Sequence, residues 1–165
     1  MVSKATTVRV PQLAWYGDTE LDLDFPSSWD VEVCNMKGHS RPALSEKEIR
    51  DAFQNPAGSK TIKELARGAK EVAIIFDDMT RPTPVAEILP YVLEELREAG
   101  VADEGIRFIA ALGAHGALHG IDFRKKLGED IYEKFPVYNH NPYENCTFVG
   151  TTSRGTPVSV NSEVM

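Results

Sequence analysis

Asp77, Asp78, Arg81 and His115 are the residues of this 165-residue chain whose types and spacing could do chemistry. Imidazole is the side chain whose unperturbed pKa lies near neutrality, so His115 suits an acid/base role. Guanidinium can grip a carboxylate through two parallel hydrogen bonds, so Arg81 suits an anion clamp. Asp78 could orient an imidazole or bind a hydroxyl. Each residue also has a plainer reading. His115 fits a surface histidine in a glycine-rich loop equally well, Arg81 a loop arginine paired with Asp77 or Asp78, and Asp77 a solvated acid.

Position in the chain gives these residues a reason to meet. The apolar run Glu71 to Phe76 stops at the two acids, and the run Arg107 to Leu112 stops at Gly113 and His115. Between them Ile88, Leu89, Val92, Leu93 and Leu96 recur at helical spacing. Strand, helix, strand is a parallel crossover unit, which brings the C-terminal ends of both strands to one sheet edge. Ligands of open α/β sheets bind outside that edge. The spacing therefore predicts a three-layer, Rossmann-like α/β domain with a largely parallel sheet, and a shared crevice for Asp77, Asp78, Arg81 and His115.

The first third of the chain reads as additional β structure. Thr7 to Val10 and Leu21 to Phe25 alternate as half-buried strands do, with Trp15 to Gly17 as a hairpin connection, and Val31 to Cys34 reads as a third strand. Trp15 and Trp29 read as packing residues. Ser45 to Glu48 is a capping-box sequence opening a helix to about Gln54, with Ile49 and Phe53 inward. Asn55-Pro56 ends it. A short helix follows from Ser59, with Ile62, Leu65 and Ala66 inward and Gly68 as its cap. After a glycine-rich link, a helix from Asp122 to Leu127 ends at Gly128. Phe135 to Asn139, Cys146 to Val149 and Thr156 to Val160 read as short strands, with a turn at Ser153 to Gly155. His119 follows His115 by four residues, but Gly116 and Gly120 argue against the continuous helix that a metal pair would need. No Gly-Xaa-Gly-Xaa-Xaa-Gly follows a strand, which argues against an NAD-dependent dehydrogenase.

Composition narrows the rest. An apolar content of 42% and a charged content of 26% are those of a globular protein, and nothing marks a domain boundary, so one compact unit is expected. A net charge of −7 disfavours nucleic acid or an anionic membrane as a partner. No segment has the length or pattern of a signal or a span, so a cytoplasmic location is expected. Cys34 and Cys146 have no paired-motif spacing and are expected as buried free thiols. The chain ends at Asn161 to Met165 without a stop signal or polar tail, as a truncated piece of a longer protein would.

Four segments carry a resemblance. Asn55-Pro-Ala-Gly-Ser59, Glu64-Leu-Ala-Arg-Gly68, Asp78-Met-Thr-Arg-Pro82 and Ala111-Leu-Gly-Ala-His115, in that order and spacing, resemble the N-terminal domain of the lactate racemase family, from about Leu44 onward. The family comprises nickel-dependent 2-hydroxyacid racemases and epimerases. The resemblance implies that His115 is an acid/base group, that Asp78 is catalytic or holds the cofactor's ribose, that Thr80 also contacts the cofactor and that Arg81 binds substrate. It implies a nickel-pincer nucleotide that takes up and returns hydride, with its lysine tether and nickel-binding histidine beyond Met165. The partners implied are a 2-hydroxy acid and the remainder of the same polypeptide; this chain alone is expected to be inactive. Gly116-Ala117 stand where lactate racemases have Arg-Pro, and Ala114 where they have Thr or Phe. That side of the site is smaller and less cationic, which favours a larger or differently substituted hydroxy acid. A non-catalytic module binding a hydroxy or keto acid is the alternative.

Overall fold

The computed structural model describes residues 6–12, 15, 17 and 19–165. Its contacts divide into two compact units, residues 1–47 and 48–165, although no change of composition marks the boundary. In the first, β1 (Thr6–Pro11) and β2 (Glu20–Phe25) form an antiparallel pair in which Val8 faces Leu23 and Val10 faces Leu21. The strand expected at Val31 to Cys34 is irregular backbone. Extended residues become a strand only where a neighbour takes up their hydrogen bonds, and among the described residues β1 and β2 pair only with each other. Trp29 lies 5.9 Å from Phe25, centroid to centroid, yet remains mostly exposed.

The helix α1 (Glu46–Gln54) runs across the boundary between the units, with Ile49 and Phe53 half-buried. The next helix departs from expectation: α2 (Ile62–Leu65) is a single turn that begins after Thr61, not Ser59. Thr61 and Glu64 form a reciprocal capping box, with the Thr61 amide donating to Glu64 at 2.9 Å and the Glu64 amide to Thr61 Oγ1 at 3.2 Å. With so short a helix only the i, i+4 pair Ile62 and Ala66 turns inward, and Leu65 is exposed.

The second unit is built on a parallel three-stranded sheet, β3 (Val72–Asp77), β4 (Ile106–Ala111) and β5 (Val137–Asn139), in that spatial order. Val72, Ile74 and Phe76 sit opposite Ile106, Phe108 and Ala110, so these six share one face. Onto that face pack α3 (Val85–Glu98), which joins β3 to β4, and α4 (Gly120–Leu127). Leu89, Leu93 and Leu96 of α3 and Phe123 and Leu127 of α4 belong to the same buried core. Phe76 meets Phe123 edge-on at 6.2 Å, and Phe108 meets Phe135 at 5.5 Å. The fold is the mixed α/β class with the parallel β3–β4 pair that the apolar runs require.

Two elements complete the chain. Gly128, at φ +88°, ends α4 as its position in the sequence suggested, and opens α5 (Glu129–Lys134), a helix to which the sequence reading assigned no element. A hairpin of β6 (Cys146–Thr151) and β7 (Pro157–Asn161) follows. Both cysteines are exposed, which corrects the expectation of buried thiols. Cys34 lies in the irregular segment and Cys146 opens a hairpin strand that is solvated along most of its length.

Phe108 has no exposed surface, sits opposite Val137 of β5 and belongs to the same buried core as the α3 leucines. Phe108→Ala should cost about 3–5 kcal/mol, because the cavity adds to the lost transfer energy. Urea denaturation would show this as a lower midpoint at unchanged slope.

Candidate active site

The crevice is made by two loops at the C-terminal ends of β3 and β4. In the first, Asp78 is almost fully buried and its carboxylate folds the loop around itself. Asp78 Oδ1 accepts from the Thr80 amide at 2.9 Å and from Thr80 Oγ1 at 2.5 Å, and the Arg81 amide donates to the Asp78 carbonyl at 3.2 Å. Aspartate favours such turns because its side chain can satisfy amides two residues on. Thr83 Oγ1 donates to Asp77 Oδ2 at 2.6 Å, and Pro82 and Pro84 restrict the backbone up to α3.

The second loop turns at once. The His115 amide donates to the Leu112 carbonyl at 3.0 Å, with Gly113 at φ +57°, a conformation that L side chains rarely adopt. His119 caps α4, exchanging bonds with Asp122. The two loops are tied together by His115 Nδ1 and Asp78 Oδ2, 2.5 Å apart. A carboxylate can only accept, so Nδ1 carries the proton and the lone pair of the neutral ring is on Nε2. The His115 side chain is 60% exposed while that of Asp78 is 7% exposed. The imidazole can therefore be reached from solvent while the carboxylate bonded to it is enclosed.

Burial pushes the Asp78 carboxyl up, but the hydrogen bonds from Thr80 Oγ1, His115 and the Thr80 amide outweigh it and hold the group down at about 2, against an ordinary 3.8. Asp77 is also lowered: burial raises it, and the bonds from Thr83 and Lys126 overcome that. Asp77, Asp78, Thr80, Arg81, Ala114 and His115 line one hollow of about 310 Å³, together with the chain from Ala111 to Gly113. All four residues singled out at the start thus surround one space. A larger hollow of about 390 Å³ lies at the opposite edge of the sheet. Its arginine, Arg107, is committed to Glu71 at 3.0 Å and to the Glu163 carbonyl at 2.8 Å, and it contains no histidine.

Two supporting residues escaped the sequence reading. Lys126, on α4, is wholly buried; its Nζ donates to the Arg81 carbonyl at 2.9 Å and lies 2.9 Å from Asp77 Oδ1. The available signal was its i+3 position after Phe123 and its place beside Leu127, both on the apolar face of α4. Asn139, at the end of β5, accepts from the Leu118 amide and donates to the Leu118 carbonyl, both at 2.9 Å, clamping the loop that carries His115. Thr61, not Ser59, caps α2. Among the described residues, no group of three or more His, Cys, Asp and Glu is arranged to hold a metal ion. None of their helices is long and apolar enough to cross a membrane.

The class is an α/β domain with a crevice at the carboxyl edge of its parallel sheet, the edge outside which ligands of such sheets bind. Residues 16–165 match the lactate racemase N-terminal domain, and the chain belongs to that family. It is 31% identical over 150 residues to the lactate racemase of Thermoanaerobacterium thermosaccharolyticum, covering 88% of this chain and 35% of that protein. It is 36% identical over 107 residues to the lactate racemase of Lactiplantibacillus plantarum, covering 64% of this chain and 25% of that protein. The solved structure of the Thermoanaerobacterium thermosaccharolyticum lactate racemase apoprotein superposes with a TM-score of 0.67 at 29% identity, covering 94% of this chain and 36% of that one. The chain thus spans about a third or less of the length of these relatives.

A carboxyl depressed on folding contributes stability that is fully present above its unfolded pKa and lost as pH falls through the folded value. For Asp78 that window runs from about pH 4 down to about 2. Asp78→Asn should be less stable than the parent by about 1.5–3 kcal/mol at neutral pH, the value of charge-assisted bonds lost. The gap should narrow below pH 4 and close near pH 2, as thermal melts of both proteins across that range would show.

Proposed function

We propose that this chain is the N-terminal part of a 2-hydroxyacid racemase or epimerase, in which His115 moves the hydroxyl proton and Arg81 holds the carboxylate. The observation that carries the reading is the His115–Asp78 bond inside a hollow that Arg81 also lines. The two relatives named above are both lactate racemases, which supports the reaction class.

The chemistry explains why these groups suffice on this side of the substrate. A hydrogen on a carbon bearing hydroxyl and carboxylate is not acidic, so two-base proton exchange would build a carbanion beside an anion. Loss of hydride gives a planar keto acid, which can be rebuilt from either face. That route needs a base for the hydroxyl proton and a cation for the carboxylate. His115 Nε2 supplies the first, with Asp78 fixing the tautomer and stabilising the imidazolium that forms. Arg81 supplies the second. Both Asp78 oxygens are already engaged by Thr80 and His115, which supports the orienting role over ribose binding. Thr80 Oγ1 likewise spends its proton on Asp78, so a cofactor contact would use its acceptor side.

A nickel nucleotide, when bound, would supply the acceptor and donor of hydride. The described residues hold no group of three or more His, Cys, Asp and Glu arranged for a metal ion, and the nickel-binding histidine and lysine tether that the family resemblance implies are expected elsewhere in the polypeptide. The described residues fit the proton-handling and anion-binding share of the site. Ala114 and Gly116-Ala117 leave room beside His115, which favours a 2-hydroxy acid bulkier than lactate.

Steady-state kinetics on the full-length, cofactor-loaded enzyme test the roles separately. Arg81→Ala should raise KM by about one to two orders of magnitude, and Arg81→Lys should not restore it fully. His115→Ala should instead lower kcat by about 100- to 10,000-fold. Racemisation by His115→Ala at the parent rate would remove His115 from the mechanism.

A further inference from the structure

A fully buried lysine among apolar neighbours needs an explanation. Burying an ammonium is costly unless it is paired, and an apolar residue of similar volume commonly packs as well or better. Two oxygens within reach of its ammonium bear on what Lys126 does. One is the carbonyl of Arg81, the residue proposed to hold substrate, reached from 45 residues further along the chain. The other is Asp77 Oδ1, on a carboxylate that lines the same hollow.

The two contacts act on one ligand. A carbonyl held at hydrogen-bond distance from the core fixes the backbone from which the guanidinium extends. Asp77 on its own would repel an incoming carboxylate; beside an ammonium at 2.9 Å it does so far less. Thr83 holds the other Asp77 oxygen, so the acid is fastened at both ends.

We infer that Lys126 is a positioning residue for the anion clamp: it fixes the Arg81 backbone and neutralises Asp77, so that a 2-hydroxy acid carboxylate is accepted there. This rests on the reading of Arg81 given above. It implies two separable losses when Lys126 is removed. One is electrostatic and can be relieved by neutralising Asp77. The other is geometric and cannot.

The test uses the full-length enzyme and two probes, L-lactate and L-2-hydroxy-3-methylbutyrate, with Kd from calorimetry and KM and kcat where turnover is measurable. Lys126→Met should weaken binding by about a hundredfold and lower the thermal midpoint. Adding Asp77→Asn should return the midpoint towards the parent value but leave Kd raised about tenfold, with kcat changed by less than about threefold. If Lys126→Met does not fold, the double variant alone gives the decisive number. Parent-like Kd in Lys126→Met/Asp77→Asn would overturn the inference, because Lys126 would then only balance a charge. Arg81→Ala distinguishes the two levels. If it binds like the parent, or if the parent binds neither acid, the clamp itself fails and Lys126 has nothing to position. If it binds weakly while the double variant binds normally, only the Lys126 inference falls.

Discussion

The bond between Asp78 and His115 closes a span of 37 residues and joins the two loops that make the crevice. It has to be satisfied, because Asp78 is buried as an anion and an unpaired carboxylate there would cost far more than the bond itself supplies. The same bond fixes which imidazole nitrogen carries the proton. One interaction thus joins the two loops, helps to keep a buried acid charged and sets the tautomer of an exposed imidazole. Thr80 shares the load, with two bonds to the other carboxylate oxygen.

Behind this pair stands a second layer of fixed groups. Lys126 holds the first loop from α4, and Asn139 holds the second from the end of β5. Each anchor is a side chain on a regular element reaching a backbone group in a loop. Such an arrangement places reactive groups more accurately than loops can place themselves. The core of Phe76, Phe108, Phe123 and the α3 leucines keeps the strand ends and both helices in register beneath them. An exposed histidine can then be a precisely oriented one.

The parts of this arrangement that were legible in the sequence are those set by pattern. Apolar runs ending in Asp77 and His115 required parallel strands with neighbouring ends, and the α3 leucines required the helix between them. Convergence of Asp78, Arg81 and His115 followed from topology alone. What the sequence hid depends on pairing across distance. Val31 to Cys34 has a strand's composition but pairs with no strand among the described residues, and Leu65 lies outward because α2 ends after one turn. Cys146 and Cys34 have the composition of buried residues in segments that never reach a core. Lys126 was concealed by its type, since a lysine beside another lysine reads as a solvated face. Its ion pair with Asp77 becomes visible only when α4 is laid against the first loop. Asn139 was hidden in the same way, as a polar end to a short strand.

Asp78 holds His115 in one tautomer, with the proton on Nδ1 and the lone pair on Nε2. Nitrogen NMR of the imidazole rings reads this directly, with His115 assigned by comparison with His115→Gln and the ring examined in its neutral form. The account predicts a pyrrole-type shift for Nδ1 and a pyridine-type shift for Nε2, and a move towards the averaged shifts of a free imidazole in Asp78→Asn. A neutral His115 protonated on Nε2 in the parent protein, or averaged shifts that do not respond to Asp78→Asn, would contradict it.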